Sequence, residues 1–112
     1  MPRVDAHRIG EERSLELHRR IASRLQSEPE LVAKAAARLR RWREAATVSE
    51  FYAQRWAALL EGPLEELVAA MTDDGEAGRE LRQSTPFANT VAPRDRWRIW
   101  REVRQRLDRG HQ

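Results

Sequence analysis

Leucine, alanine and tryptophan recur at intervals of three and four along most of this chain, with arginine and glutamate between them. That is the period of an amphipathic helix. Ser14 reads as an N-cap for a first helix to about Gln26, whose stripe is Leu17, Ile21 and Leu25. Ser27 and Glu30 have capping-box spacing and open a second helix over about 28–46. Its apolar stripe is Leu31, Val32, Ala35, Ala36, Leu39 and Trp42. Thr47 and Glu50 repeat that spacing before a third helix at about 48–61, which carries Phe51, Tyr52, Trp56, Leu59 and Leu60. Gly62 ends it, and Pro63 starts a fourth to about 72 on Leu64, Leu67, Val68 and Met71. Asp73-Asp74-Gly75-Glu76 breaks the chain again, before a short helix to Gln83 anchored by Ala77 and Leu81. The last helix, 93–108, is expected to pack through Trp97, Trp100, Val103 and Leu107, with Ile99 beside that stripe.

These segments predict an all-α fold, a compact bundle of five to six helices with an ordered apolar loop before the last one. Residues 1–13 read as a flexible N-terminal arm, and 14–109 as a single helical domain. The loop from Ser84 to Ala92 is the least regular stretch. Pro86 holds Thr85 extended, while Phe87 and Val91 are apolar residues that must fold back onto something. Two readings are open: a structural staple for the last helix, or a recognition loop.

Composition makes the core thin. Hydrophobic residues are 40% of the chain, but 16 of them are alanine, and 35% of the residues are charged. The net charge of +3 hides three blocks. Residues 1–46 carry 11 basic and 7 acidic side chains, residues 47–91 carry 3 and 8, and residues 92–112 carry 7 and 3. A basic–acidic–basic chain is not a uniformly basic nucleic-acid binder. The absence of cysteine excludes disulfides and thiolate chemistry. No apolar run approaches the ~20 residues a membrane span needs. With no hydrophobic region behind its first residues, the chain is expected to be cytoplasmic and to lack a signal peptide.

Catalytic constellations are sparse. His7, His18 and His111 are scattered; a helical arm would put His7 on a face with Glu11, and Glu11 with Ser14 or His18. One imidazole and one carboxylate fall short of a metal site. Glu65 with Glu66, and Asp73 with Asp74, are adjacent and diverge around a helix, so they do not form an acid–base pair. The five glycines never form a phosphate loop. The expectation is a non-enzyme without metal or cofactor.

Binding fits better. Of the 21 basic residues only Lys34 is lysine, and arginine suits forked contacts to carboxylate or phosphate. The arginines gathered toward the end of the second helix suit its negative dipole end. Arg98, Arg101 and Arg104 on the last helix are the nucleic-acid candidates, diluted by Asp95, Glu102 and Asp108. Tryptophan and arginine also anchor protein interfaces. The expected partner-binding residues are Arg82, Ser84, Thr85, Phe87, Asn89, Arg94, Arg96 and Trp97. Glu61, Glu65, Glu66, Asp73 and Asp74 are the acidic candidates for facing a basic partner such as a nuclease.

Ser14-Leu-Glu-Leu-His-Arg-Arg-Ile-Ala, the segment from Pro29 to Trp42, Leu81-Arg-Gln-Ser-Thr-Pro-Phe-Ala and Pro93-Arg-Asp-Arg-Trp together resemble a group of small helical bacterial proteins. That group is similar to the antitoxin component of toxin–antitoxin pairs, and the resemblance covers residues 14–104. It implies a cytoplasmic protein that binds and neutralises a cognate toxin, with a nuclease and a nucleotidyltransferase as the toxin chemistries in view. Repression of its own operon, by DNA contact, is a further implied role. No binding residue carries over from the group.

Overall fold

The computed structural model describes residues 6–110. Six helices follow in order: α1 (Ala6–Arg24), α2 (Glu30–Glu44), α3 (Glu50–Glu61), α4 (Leu64–Met71), α5 (Glu76–Arg82) and α6 (Pro93–Arg109). A single 3-10 turn at Ala88–Thr90 lies between α5 and α6. Among the described residues there is no strand, and the fold is an all-α bundle.

Steps of three and four place Leu17, Ile21 and Leu25 on one side of the first helical segment, and Ile99, Val103 and Leu107 on one side of α6. All six are buried in the same apolar cluster. The α1–α6 seam is the most extensive in the molecule. Ion pairs fence it: Arg20 with Glu102, and Arg106 with Glu12 at 3.1 Å and with Glu16 at 3.9 Å. As position rises from 12 to 20 on α1, its partner falls from 106 to 102 on α6, so the two helices are antiparallel. Exposed pairs of this kind add roughly 0–1 kcal/mol each; the buried leucines and isoleucines supply the larger share. On the remaining sides, α1 rests on α4 and α5, while α2 packs on α3 and on the 3-10 turn.

Trp56 of α3 occupies the centre, with no exposed surface. A buried indole needs a partner for its N–H. Trp56 Nε1 donates to the Leu81 carbonyl at 3.0 Å, in the last turn of α5, where the Ser84 N–H also donates at 3.3 Å.

Several expected boundaries and faces differ. Ala6–Arg13, expected within a flexible arm, form the opening turns of α1, where Ile9 is buried. Ser14 is therefore inside a helix and caps nothing; residues 1–5 of the arm lie outside the described residues. Ser27 donates to the Arg24 carbonyl, and Glu28 takes the Arg24 guanidinium at 2.6 Å, so the first capping box does not form. At the second, Ser49 holds the cap position and Thr47 donates to the Trp42 carbonyl. On α3, Phe51 is 71% exposed and Ala53 takes the inward place. On α6 the buried side is Ile99, Val103 and Leu107, whereas Trp97 is 61% exposed. Two residues turn a helix by roughly 200°, so a chain that buries Ile99 must turn Trp97 outward.

Helix α2 stops in a Schellman motif. The Thr47 N–H reaches the Trp42 carbonyl at 2.9 Å, and the Ala46 N–H reaches Arg43 at 3.2 Å. This places Ala46 at φ 53°, the only non-glycine residue with positive φ among those described. A left-handed alanine costs about 1–2 kcal/mol, part of which glycine returns as chain entropy on folding. Ala46→Gly is expected to stabilise the fold by about 0.5–1 kcal/mol in urea denaturation; equal or lower stability would show that the turn is not under this strain.

Candidate functional site

Thr85 and Phe87, expected on a contact surface, are tied inward. The His18 Nδ1–H donates to the Ser14 carbonyl at 2.7 Å, which leaves Nε2 to accept from the Thr85 hydroxyl, also at 2.7 Å. Thr85 Oγ1 in turn accepts from the Phe87 N–H at 3.0 Å. Phe87 is fully buried, with its ring edge-on to Trp56 at 5.8 Å. The relay needs a neutral imidazole. Burial, reinforced by the nearby Arg82 charge against the pull of the Ser14 carbonyl, lowers the His18 pKa to about 4. Both ring nitrogens are occupied, so His18 has no lone pair left for proton transfer.

Arg82 is also interior, at 3% exposure. Its Nη1 donates to the Asp73 carbonyl at 2.6 Å and to Met71 at 3.3 Å, at the negative end of α4. The Asp73 carboxylate accepts the N–H groups of Gly75 and Gly78, each at 3.1 Å, and so caps α5. Gly78 makes the approach feasible, since a Cβ there would stand 2.0 Å from the Asp73 carbonyl oxygen. Arg82 and Phe87 thus hold the fold together in this conformation and are not open to a partner, whereas Asp73 is exposed and its carboxylate is engaged by the α5 N–H groups. Ser84 is half-buried and donates to the Leu81 carbonyl.

The other candidates face outward or nearly so. Glu61, Glu65, Glu66 and Asp74 are exposed. Asn89 is exposed, and its Oδ1 accepts from Arg96 Nη1 at 3.2 Å, with Arg96 itself half-buried. Arg94, Trp97, Arg98, Arg101 and Arg104 crowd the outer side of α6. Arg94, Trp97, Arg101 and Arg104 follow at three- and four-residue steps, and so make one continuous face. Arg98 leans on Asp95 at 3.9 Å and Arg104 on Asp108 at 3.3 Å; Arg94 and Arg101 make no ion pair among the described residues. Trp97 stands edge-on to the half-buried Trp100 at 5.5 Å, and the Arg13 guanidinium covers the Trp100 ring at 5.4 Å. The indole of Trp97 is therefore held on a firm base.

A cleft of about 350 Å³ lies between α1 and α5, with His7, Glu11, Arg79 and Arg82 on its walls. Glu11 already spans it, 2.9 Å from His7 and 3.6 Å from Arg79. Among the described residues, no three histidine or carboxylate side chains are grouped to hold a metal ion, and no helix is long and apolar enough to cross a membrane.

Sequence reasoning missed His18 and its pairing with Thr85. The signal was present: His18 adjoins Leu17 and precedes Ile21 by three, at the edge of an apolar stripe. No family model matches the chain, and no curated protein or solved structure matches it significantly.

The buried imidazole sets a pH dependence. An unfolded His18 titrates near the ordinary 6.5 and the folded one near 4, so the unfolded chain binds the extra proton between those values. Stability is unaffected by this group above pH 6.5 and falls as pH drops toward 4, by roughly 3 kcal/mol in all. His18→Gln should lose that component of the slope, measured as the difference between wild-type and variant urea-unfolding free energies from pH 7 to 4. Parallel pH curves would contradict a neutral, buried His18.

Proposed function

We propose that this protein acts by binding, as an antitoxin-like partner that neutralises a cognate toxin in a stoichiometric protein complex. One observation carries the binding reading: Trp97, 61% exposed, sits on the outer face of α6 among Arg94, Arg98, Arg101 and Arg104. Leaving a large indole in water costs apolar area that a partner would cover. Tryptophan and arginine are the residue types that dominate interface energetics. Their combination fits an acidic protein surface with an apolar socket for the indole, where arginine forks meet carboxylates. The identity of that partner as a toxin rests on the sequence resemblance alone. His18 is tied at both ring nitrogens within the fold, so this reading gives it a structural role.

A nucleic acid bound on α6 has less behind it. Arg98 and Arg104, two of the three arginines expected to contact it, each lean on a carboxylate.

Co-expression of the chain with the product of the adjacent gene tests the reading. A complex of fixed stoichiometry and suppressed toxicity are expected. Trp97→Ala should weaken the complex by about 30-fold or more, a hot-spot loss of roughly 2 kcal/mol. Its thermal stability should barely change, because the side chain is mostly outside the core. Undiminished toxicity with the wild-type chain present would remove the antitoxin reading; a complex indifferent to Trp97→Ala would remove this face.

A further inference from the structure

A groove of about 280 Å³ runs between α2 and the 3-10 turn, lined by Lys34, Ala37, Arg38, Arg41, Asn89 and Thr90. Lys34, Arg38 and Arg41 stand at steps of four and three, so they share one helix face. None of the three makes an ion pair among the described residues, although eleven ion pairs form elsewhere. Glu30 and Glu44, the two carboxylates of α2, stay more than 4 Å from them. The floor is the small side chain of Ala37, which leaves room between the cations. Arg38 is steadied by lying over the Trp42 ring, at 5.9 Å.

The opposite wall adds directed donors. Arg96 holds Asn89, a residue of the groove wall, by its Oδ1, which leaves the amide NH2 of Asn89 to donate to a ligand. Arg96 brings a fourth positive charge behind it. Thr90 is fixed by donating its hydroxyl to the Phe87 carbonyl at 2.6 Å, and keeps oxygen lone pairs for a water or a sugar hydroxyl. Three cations without a direct ion pair on one side and an amide donor on the other form a concentrated positive field in a groove that no carboxylate among the described residues lines. The negative end of the helix dipole alone accounts for basic residues in the last turn of α2. It does not account for Lys34, which lies in the helix's first half and acts on Glu28 only at a distance, nor for the lack of a direct ion pair at Arg38 and Arg41.

We propose that this groove binds the phosphodiester backbone of a nucleic acid, Lys34, Arg38 and Arg41 each neutralising a phosphate while the Asn89 amide donates to a phosphate or sugar oxygen. No base edge is read here. The groove offers charge and one amide, so binding is set by backbone and not by sequence. This goes beyond the protein-binding face on α6 and does not depend on it.

Fluorescence anisotropy of the full chain with labelled duplexes of about 20 base pairs, in DNA and in RNA, and with the matching single strands, tests it. Three neutralised phosphates give a slope of log affinity against log salt of about −3, a roughly 40-fold loss from about 50 to about 200 mM salt. Lys34→Gln alone should reduce the slope by about one. Lys34→Gln/Arg38→Gln/Arg41→Gln should bring it close to zero. Arg98→Gln/Arg101→Gln/Arg104→Gln removes the same charge from α6 and should keep at least half of the wild-type slope. Equal losses in the two triple variants would reduce the effect to net charge and overturn the groove. So would a loss confined to the α6 variant, or the absence of binding to every nucleic acid at low salt. Binding of tripolyphosphate without binding of any strand would overturn the backbone assignment in favour of a small polyanion.

Discussion

A neutral histidine inside the bundle holds the irregular part of this chain in place. His18 links α1, through the Ser14 carbonyl, to Thr85, and Thr85 passes the connection to the Phe87 backbone. Each polar atom in this relay would be unpaired in a dry interior without the next, at a cost of about 1–3 kcal/mol apiece. The loop after α5 therefore has one low-energy arrangement. Phe87 goes inward against Trp56, and Trp56 satisfies its own N–H on the end of α5. Loop, α1, α3 and α5 meet within a few side chains.

What the relay turns inward decides what remains outside. With Thr85 and Phe87 committed to the core, the 3-10 turn that follows presents Asn89 and Thr90 beside α2, where they wall the basic groove. The chain then enters α6, whose Ile99, Val103 and Leu107 face must close on α1. Trp97 is displayed as a consequence, with Trp100 and Arg13 as its support. The two surfaces proposed to bind partners are in this sense by-products of a well-satisfied interior.

The helices were legible because their apolar residues keep a helical period, and the breaks at Gly62-Pro63 and Asp73-Asp74-Gly75 carry their own chemistry. The choice of face on α6 was not legible. Trp97, Trp100, Val103 and Leu107 run at steps of three and four, and so do Ile99, Val103 and Leu107. Only the match to α1, with Glu102 and Arg106 meeting Arg20, Glu12 and Glu16, separates the two stripes. The inward turn of the loop was equally hidden, because it depends on a hydrogen bond between residues 67 positions apart. Lys34, Arg38 and Arg41 were in view from the start. The Asn89 turn that faces them across the groove depends on the folded loop.

Amide hydrogen exchange in the native state at Phe87 and Thr90 tests the central claim most directly, that this loop is part of the core. The Phe87 N–H is bonded to Thr85 and the Thr90 N–H to the Phe87 carbonyl. Both should exchange only through openings nearly as costly as global unfolding, alongside the buried turns of α3. Exchange at the rate of an unstructured peptide, with α3 still protected, would contradict it.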